Sequence, residues 1–561
     1  MRRTKVVALL VGLCLGVTAC SSSAGHSAAP KTSASADQNT THKQGGTVTI
    51  ANEQGQTWPC QFNPFNPANS AESIGFVYEP LIYVDMLNNQ AETPMLATSY
   101  QWNADKTSVT FNIRSGVSWS DGQPFTAADV SYTFNLMKQF PATDLYSLWT
   151  GAGLQSVTDS GSQVTMTFKQ PASTYFYYFA SQIGIVPQHI FSQGDAAAHP
   201  DTWADADPIG TGPFLVSPCT PNNIQFTANP KYWQPGKPYI QKVEYPAYLD
   251  NGPANLDLAS GKAQWGSQFI PNIKTTYLNK SSANNTWSPP VSNVALYPNL
   301  DSSKPTSKLP VRQAIAAAID RSQIAAIGEG GEQPAANQTG VITPTFNKYF
   351  DSNALNSSGY ASPDVNKAKQ LMQQAGYSTA NPLKLSVITV TGYTDWDASL
   401  AVVKQELAPI GIDLTVNDLA QQTYDSDLYE GKFDLAYYGA TGGPTPYYEM
   451  RENLYSKNSA PIGQDAASNF ERYNNPAVDA LLDQYPTASD ADQVTITQKI
   501  EAYMLSDVPV IPTTESVDWF QYNTSDIQGW PTQSNPYAQP AAYNVPDVEQ
   551  VLLNIYSTKA Q

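Results

Sequence analysis

The chain has 561 residues, several times the roughly 100–200 of a single domain, so two or three domains are expected. Thirty Lys and Arg stand against 48 Asp and Glu, a net charge of −18 that excludes a nucleic-acid binder, which needs a basic stripe. Apolar residues at 41% exclude global disorder, and four His with four Cys leave little for clustered metal chemistry.

Arg2, Arg3 and Lys5 precede a 14-residue apolar run, Val6–Ala19, which is too short to cross about 30 Å of hydrocarbon. Val17-Thr18-Ala19-Cys20 then places small residues before a cysteine and resembles the lipobox of bacterial lipoproteins. That resemblance implies a signal peptide over residues 1–19 and lipidation of the Cys20 thiol. The lipid alone would hold the protein to the outer face of the cytoplasmic membrane, and no later segment offers 18 consecutive apolar residues. Loss of the three leading basic residues takes the net charge from −18 to −21. Residues 21–44 contain no aromatic residue and no Leu, Ile or Val, so 20–44 reads as a lipidated flexible tether. With Cys14 removed and Cys20 acylated, Cys60 and Cys219 remain, and an even pair in an exported protein predicts a disulfide.

From Gly45 the chain reads as strand, through Thr47-Val48-Thr49-Ile50-Ala51. Ser108–Ile113 alternates within a hairpin, and a second hairpin lies around Gln163–Phe168. Thr126 with Asp129 three residues on is a capping box that opens a helix, and Pro187–Phe191 leads into a helical turn. Pro208-Ile209-Gly210-Thr211-Gly212-Pro213 fixes a tight turn into a strand over 214–217; no Lys-Ser or Lys-Thr follows, so it is not a phosphate loop. After Leu300 helices alternate with strands: an amphipathic stretch Val311–Ile327, a helix Asp364–Gly376 and a strand Leu383–Val390. A helix Ala398–Ile410 stops at Gly411, before a strand Ile412–Val416. That alternation predicts a mainly parallel sheet.

These landmarks resemble, in order, the solute-binding proteins of ABC importers in the oligopeptide/dipeptide/nickel class, family five. The matching segments include Tyr78-Glu79-Pro80-Leu81, Trp119-Ser120-Asp121-Gly122, the Pro208–Pro213 turn and Asn229-Pro230-Lys231-Tyr232-Trp233. They continue through Val311-Arg312-Gln313-Ala314-Ile315, Ala318-Ile319-Asp320-Arg321 and Ala375-Gly376-Tyr377. The resemblance implies an α/β, two-lobed, periplasmic-binding-protein-like fold with a subdomain inserted in lobe one. Lobe one would take 45–76, 200–300 and 510–561, the insertion 77–199, and lobe two 301–509. It implies a monomer that traps ligand in an interlobe cleft and hands it to ABC permease subunits.

No Gly-x-Ser-x-Gly, His-Glu-x-x-His or Cys-x-x-Cys occurs, and neither an enzyme, a cofactor nor a metal ion is expected. Peptide binders of the class hold the ligand's amine with an aspartate after the strand that here is Phe433–Tyr438. This chain has Ala440-Thr441-Gly442-Gly443-Pro444 there, without a carboxylate. Other segments are similar to the cello-oligosaccharide-binding subset: Asn63-Pro64-Phe65-Asn66-Pro67, Trp265 to Asn272, Thr394-Asp395-Trp396, and Gly529-Trp530-Pro531-Thr532. A pyranose wants flat aromatic platforms and amide or hydroxyl partners. The expected ligand is therefore an uncharged oligosaccharide. Trp58, Trp265, Trp396, Tyr447 and Trp519 would serve as aromatic contacts, with Asn66, Gln268 and Asn272 as hydroxyl partners. An oligopeptide or dipeptide ligand stays open, as does a lipoprotein receptor or adhesin on the same fold without transport.

Overall fold

A computed structural model describes residues 42–52, 55, 57–66, 73–343 and 345–559. The expected signal peptide, Cys20 and the tether up to residue 41 lie outside them. Thr47–Ala51 forms the expected first strand, pairing in parallel with Lys242–Pro246 on one side and Trp265–Gly266 on the other. The first sheet runs, in spatial order, Asn284–Thr286, Gln521–Asn523, Trp265–Gly266, Thr47–Ala51, Lys242–Pro246, Asn223–Ala228 and Phe214–Thr220. Cys60 and Cys219 are bonded, with Cα atoms 5.7 Å apart, and the bridge ties the segment after the first strand to this sheet's edge.

The second sheet runs Ile412–Leu419, Leu383–Val390, Leu435–Gly439, Pro290–Pro298 and Ile511–Val517. Its central strands are buried on both faces. Val294 and Leu296 enter one apolar cluster and Ala295 and Tyr297 the other, as the two-residue period of a strand requires. Helices Leu309–Ala318 and Thr394–Leu407 cover the first face, and Pro446–Leu454 and Asp490–Ser506 the second. The predicted parallel sheet is only partly realised. Leu383–Val390 pairs in parallel with both neighbours, but Pro290–Pro298 runs antiparallel to both of its own. That strand carries the chain in from the first lobe, so its direction is set by the crossover and not by a βαβ unit.

The crossovers correct the expected boundaries at 300 and 510. Residues 290–298 and 511–517 belong to the second sheet, so the chain changes lobes at 287–289 and 518–520. The two connections lie side by side: Asp518 N–H donates to Pro289 O at 2.9 Å and Trp287 N–H to Phe520 O at 3.2 Å.

The insertion carries a four-stranded antiparallel sheet, Ala97–Trp102, Ser108–Ile113, Gln163–Phe168 and Leu154–Ser160. Helix Ala127–Gln139 packs on it, opened by the predicted capping box, in which Thr126 N–H donates to the Asp129 carboxylate at 2.8 Å. The ends of the insertion meet at the Pro208–Pro213 turn. A Cβ on Gly210 would stand 1.9 Å from Val77 O, and Gly212 N–H donates to that oxygen at 2.8 Å. Only glycine permits so close a backbone approach. The predicted stretch Val311–Ile327 is not one helix. It breaks at Ile319, whose extended backbone lets Asp320 cap a new turn by accepting from Ser322 and Gln323 N–H. The predicted helix Ala398–Ile410 begins earlier, as Thr394–Leu407, before a short 3-10 turn to Ile410.

Candidate functional site

A cavity of about 540 Å³ opens between the lobes, within the size range of small-ligand sites. The insertion contributes Tyr146, Tyr177 and Tyr178, lobe two contributes Tyr429, Tyr438 and Arg451, and Tyr543 comes from the C-terminal segment. The lobes touch beside it. Tyr448 of lobe two donates its hydroxyl to Thr174 O, and its ring stands edge-on to Tyr177 and Tyr178 at 5.6 and 5.1 Å. Tyr146 stacks on Tyr178 with centroids 4.9 Å apart, giving a flat paired surface at the wall. Asp518, in the crossover, also lines the cavity and accepts from the Asn544 amide at 2.7 Å; burial pushes its carboxyl up to about 8.

The structure brings none of the eight predicted ligand residues into the cavity lining. Trp58 is buried in lobe one with its indole N–H on Tyr245 O at 2.8 Å. Trp265 is fully buried, its indole donating to Pro540 O at 2.9 Å, so both of its faces are protein-covered. Tyr447 is buried in lobe two, stacked on Tyr485 at 4.4 Å. Asn66 is buried and donates its amide to Gln61 and Thr202, while Gln268 is buried against Asn255. Asn272 is exposed, holding a left-handed turn (φ 52°) that starts Ile273–Thr276. Trp396 and Trp519 keep partial exposure. The former sits beside Tyr393 and Tyr437, the latter lies in the crossover against Phe269. An indole offers a large platform, yet the same size drives Trp58 and Trp265 into the core of lobe one. Tyrosines line the cavity instead, and their signal in the sequence is the run Tyr175-Phe176-Tyr177-Tyr178 and a total of 32 tyrosines. A tyrosine can bury its ring and leave its hydroxyl at a polar surface.

The segment without a carboxylate, Thr441-Gly442, does line the cavity. Gly442 adopts φ +75°, and a Cβ there would stand 2.5 Å from Val291 O. A carboxylate reaches the same place from elsewhere. Glu452, on helix Pro446–Leu454, accepts from Thr441 N–H at 3.1 Å and from the Tyr438 hydroxyl at 3.3 Å, and it lines the cavity. Burial pushes it up to about 7, against those hydrogen bonds. Asp434, in the preceding turn, is occupied by Lys304 at 3.1 Å and by Ser386, so it is structural.

Residues 92–461 match the model of the bacterial extracellular solute-binding proteins, family 5. The chain belongs to that family. A family 5 protein works outside the cytoplasm, binding a small-molecule solute for an ABC importer, and no described helix is long and apolar enough to cross a membrane. A Brucella ovis protein named as an ABC transporter peptide-binding protein is 27% identical over 432 residues, 75% of this chain and 78% of its own. The oligopeptide-binding protein OppA of Bacillus subtilis is 24% identical over 489 residues, 82% and 86% of the two chains. A mannohexaose-bound periplasmic oligopeptide-binding protein of Thermotoga maritima superposes with a TM-score of 0.83 at 26% identity, over 91% of this chain and 99% of its own. These likenesses establish the two-lobed periplasmic-binding-protein architecture.

Proposed function

We propose that this family 5 protein captures an oligosaccharide in the interlobe cavity and presents it to the permease subunits of an ABC importer, tethered outside the cell membrane through Cys20. The observation that carries the ligand reading is the cavity wall, where tyrosines from both lobes and the stacked Tyr146–Tyr178 pair supply flat rings beside hydroxyls. Sugar faces stack on such rings, and the hydroxyl rim finds donors and acceptors at their edges. The mannohexaose-bound Thermotoga relative supports the same reading. Calorimetric titration with cello-, xylo- and manno-oligosaccharides beside mixed peptides tests it. At least one glycan should bind with a Kd near 1 µM or below, about −8 kcal/mol. Tyr178→Ala should weaken that binding by roughly 2 kcal/mol, the usual mark of a buried aromatic anchor. Heat from peptides alone would overturn the sugar reading.

A peptide ligand is the second reading, favoured by Glu452. Its carboxylate occupies the place where the sequence segment 441–443 offers none, and it can pair with an ammonium group. In that case Glu452→Gln abolishes peptide binding while any glycan titration is unchanged.

A further inference from the structure

The five arginines among the described residues divide sharply. Arg114 donates to Met95 O and Pro94 O, and Arg312 to the carbonyls of Thr306, Ser307, Asp507 and Val508. Arg321 donates to Pro512 O and the Gln338 amide oxygen, and Arg472 to Leu428, Tyr429, Gln464 and Phe470 carbonyls. Arg451 alone makes no side-chain hydrogen bond and no ion pair among the described residues, although it is 8% exposed and lines the interlobe cavity. Its guanidinium faces that cavity, so its five N–H donors are open to a ligand there.

What surrounds Arg451 holds the cation without capping its donors. The guanidinium carbon lies 5.7 Å from the centroid of Tyr175, on the insertion, and 5.4 Å from Tyr455, on lobe two. Ring faces at that range attract a cation electrostatically but accept no fork of hydrogen bonds. Gly151 of the insertion makes the space: a Cβ there would stand 3.1 Å from Arg451 Nη2. The acids of the cavity are engaged elsewhere, Glu452 with Thr441 and Tyr438 and Asp518 with Asn544. Burial also raises both acids, to about 7 and about 8, so each is at least partly protonated near neutral pH, where Arg451 stays charged. Burial opposes the charge on Arg451, yet its pKa is raised and not lowered, so the guanidinium is cationic at neutral pH.

We propose that Arg451 is the anion-binding residue of the cavity and that the captured ligand carries a carboxylate, received as a bidentate pair by the free guanidinium fork. The inference rests on the cavity being the ligand site, and it replaces the uncharged ligand expected from sequence with an acidic one. A uronate on an oligosaccharide and the C-terminus of a peptide present the same group.

Two matched pairs of probes separate these sources: xylotriose against glucuronate-bearing xylotriose, and trialanine against its C-terminal amide. Titrated into the wild-type protein, the acid member of at least one pair should bind tenfold or more tightly than its neutral partner. Arg451→Gln should erase that preference and Arg451→Lys should retain part of it, with melting curves showing both variants folded. A preference confined to the sugar pair supports both the anion site and the oligosaccharide reading. One confined to the peptide pair supports the anion site and overturns the oligosaccharide reading. No preference for the acid form in either pair of the wild type, or a preference that survives in Arg451→Gln, overturns the role of Arg451.

Discussion

Glu79 and Glu549 show how this protein uses charge at single positions. Both are fully buried, with the Tyr232 hydroxyl 2.9 Å from one carboxyl and 3.3 Å from the other, and Trp233 donating to Glu79. Burial raises both carboxyls, and their contact raises Glu549 further, so the pair holds a proton well above the ordinary carboxylate range. An acid raised on folding stabilises fully below its unfolded pKa and loses that contribution as pH climbs through the folded value. Glu549→Gln supplies the proton's role permanently. Its melting midpoint relative to wild type should therefore rise steadily from pH 5 to pH 9, and a constant offset would contradict the shared proton. Trp265 illustrates a different residue-scale result. It reads like a ligand platform but is a core side chain, so Trp265→Ala should cost about 3–5 kcal/mol in urea unfolding. No bound ligand should be needed to see the loss.

Among the elements, the break at Ile319 matters most to the second lobe. Helix Leu309–Ala318 is buried along nearly its whole length, and Asp320 restarts the chain as a short helix whose N–H groups it caps. Asp320→Ala removes those acceptors and should lower stability by about 1 kcal/mol, seen as a reduced thermal midpoint. Arg312, on the same helix, explains why Val311-Arg312 is a recognisable landmark. Its guanidinium staples carbonyls of residues 306–307 to those of 507–508, so it is structural where Arg451 is not. Both arginines look alike as letters. They differ because one helix packs against loops rich in carbonyls and the other faces a cavity.

At the scale of the whole molecule, two properties follow from how the chain is closed and buried. The Cys60–Cys219 bridge spans 159 residues and encloses the entire insertion. In the chain-entropy model such a loop contributes about 5 kcal/mol, so the Cys60→Ala, Cys219→Ala double variant should unfold at markedly lower urea. The second property is pH dependence. Burial pushes Glu329, Glu332, Glu449 and Asp518 up to about 8, and Glu501 and Glu515 to about 7. All are protonated more in the folded than in the unfolded chain between about pH 5 and 8, where unfolded carboxyls titrate near 4. Stability should be highest toward pH 5 and fall toward pH 8, an effect that self-repulsion of the acidic chain reinforces. Calorimetry at constant ionic strength checks it, and a midpoint that rises over that window would contradict it.

Family, lobes and most elements were legible in the sequence because they rest on local rules. A capping box, a glycine stop and a two-residue apolar period act within a few residues, and Thr126, Gly411 and Leu383–Val390 obey them in the structure. The Pro208–Pro213 turn was legible for the same reason, although its close approach to Val77 was not. The lobe boundaries and the cavity wall were decided only by tertiary structure. Whether Pro290–Pro298 belongs to one sheet or the other depends on which partner strands its hydrogen bonds find. Whether an aromatic side chain lines a cavity or fills a core depends on what packs over it, and residues from 86 to 545 converge on this one. Sequence spacing constrains neighbours along a helix or strand. It leaves open which distant surfaces close over each other, and that closure placed tyrosines and a bare arginine where tryptophans were expected.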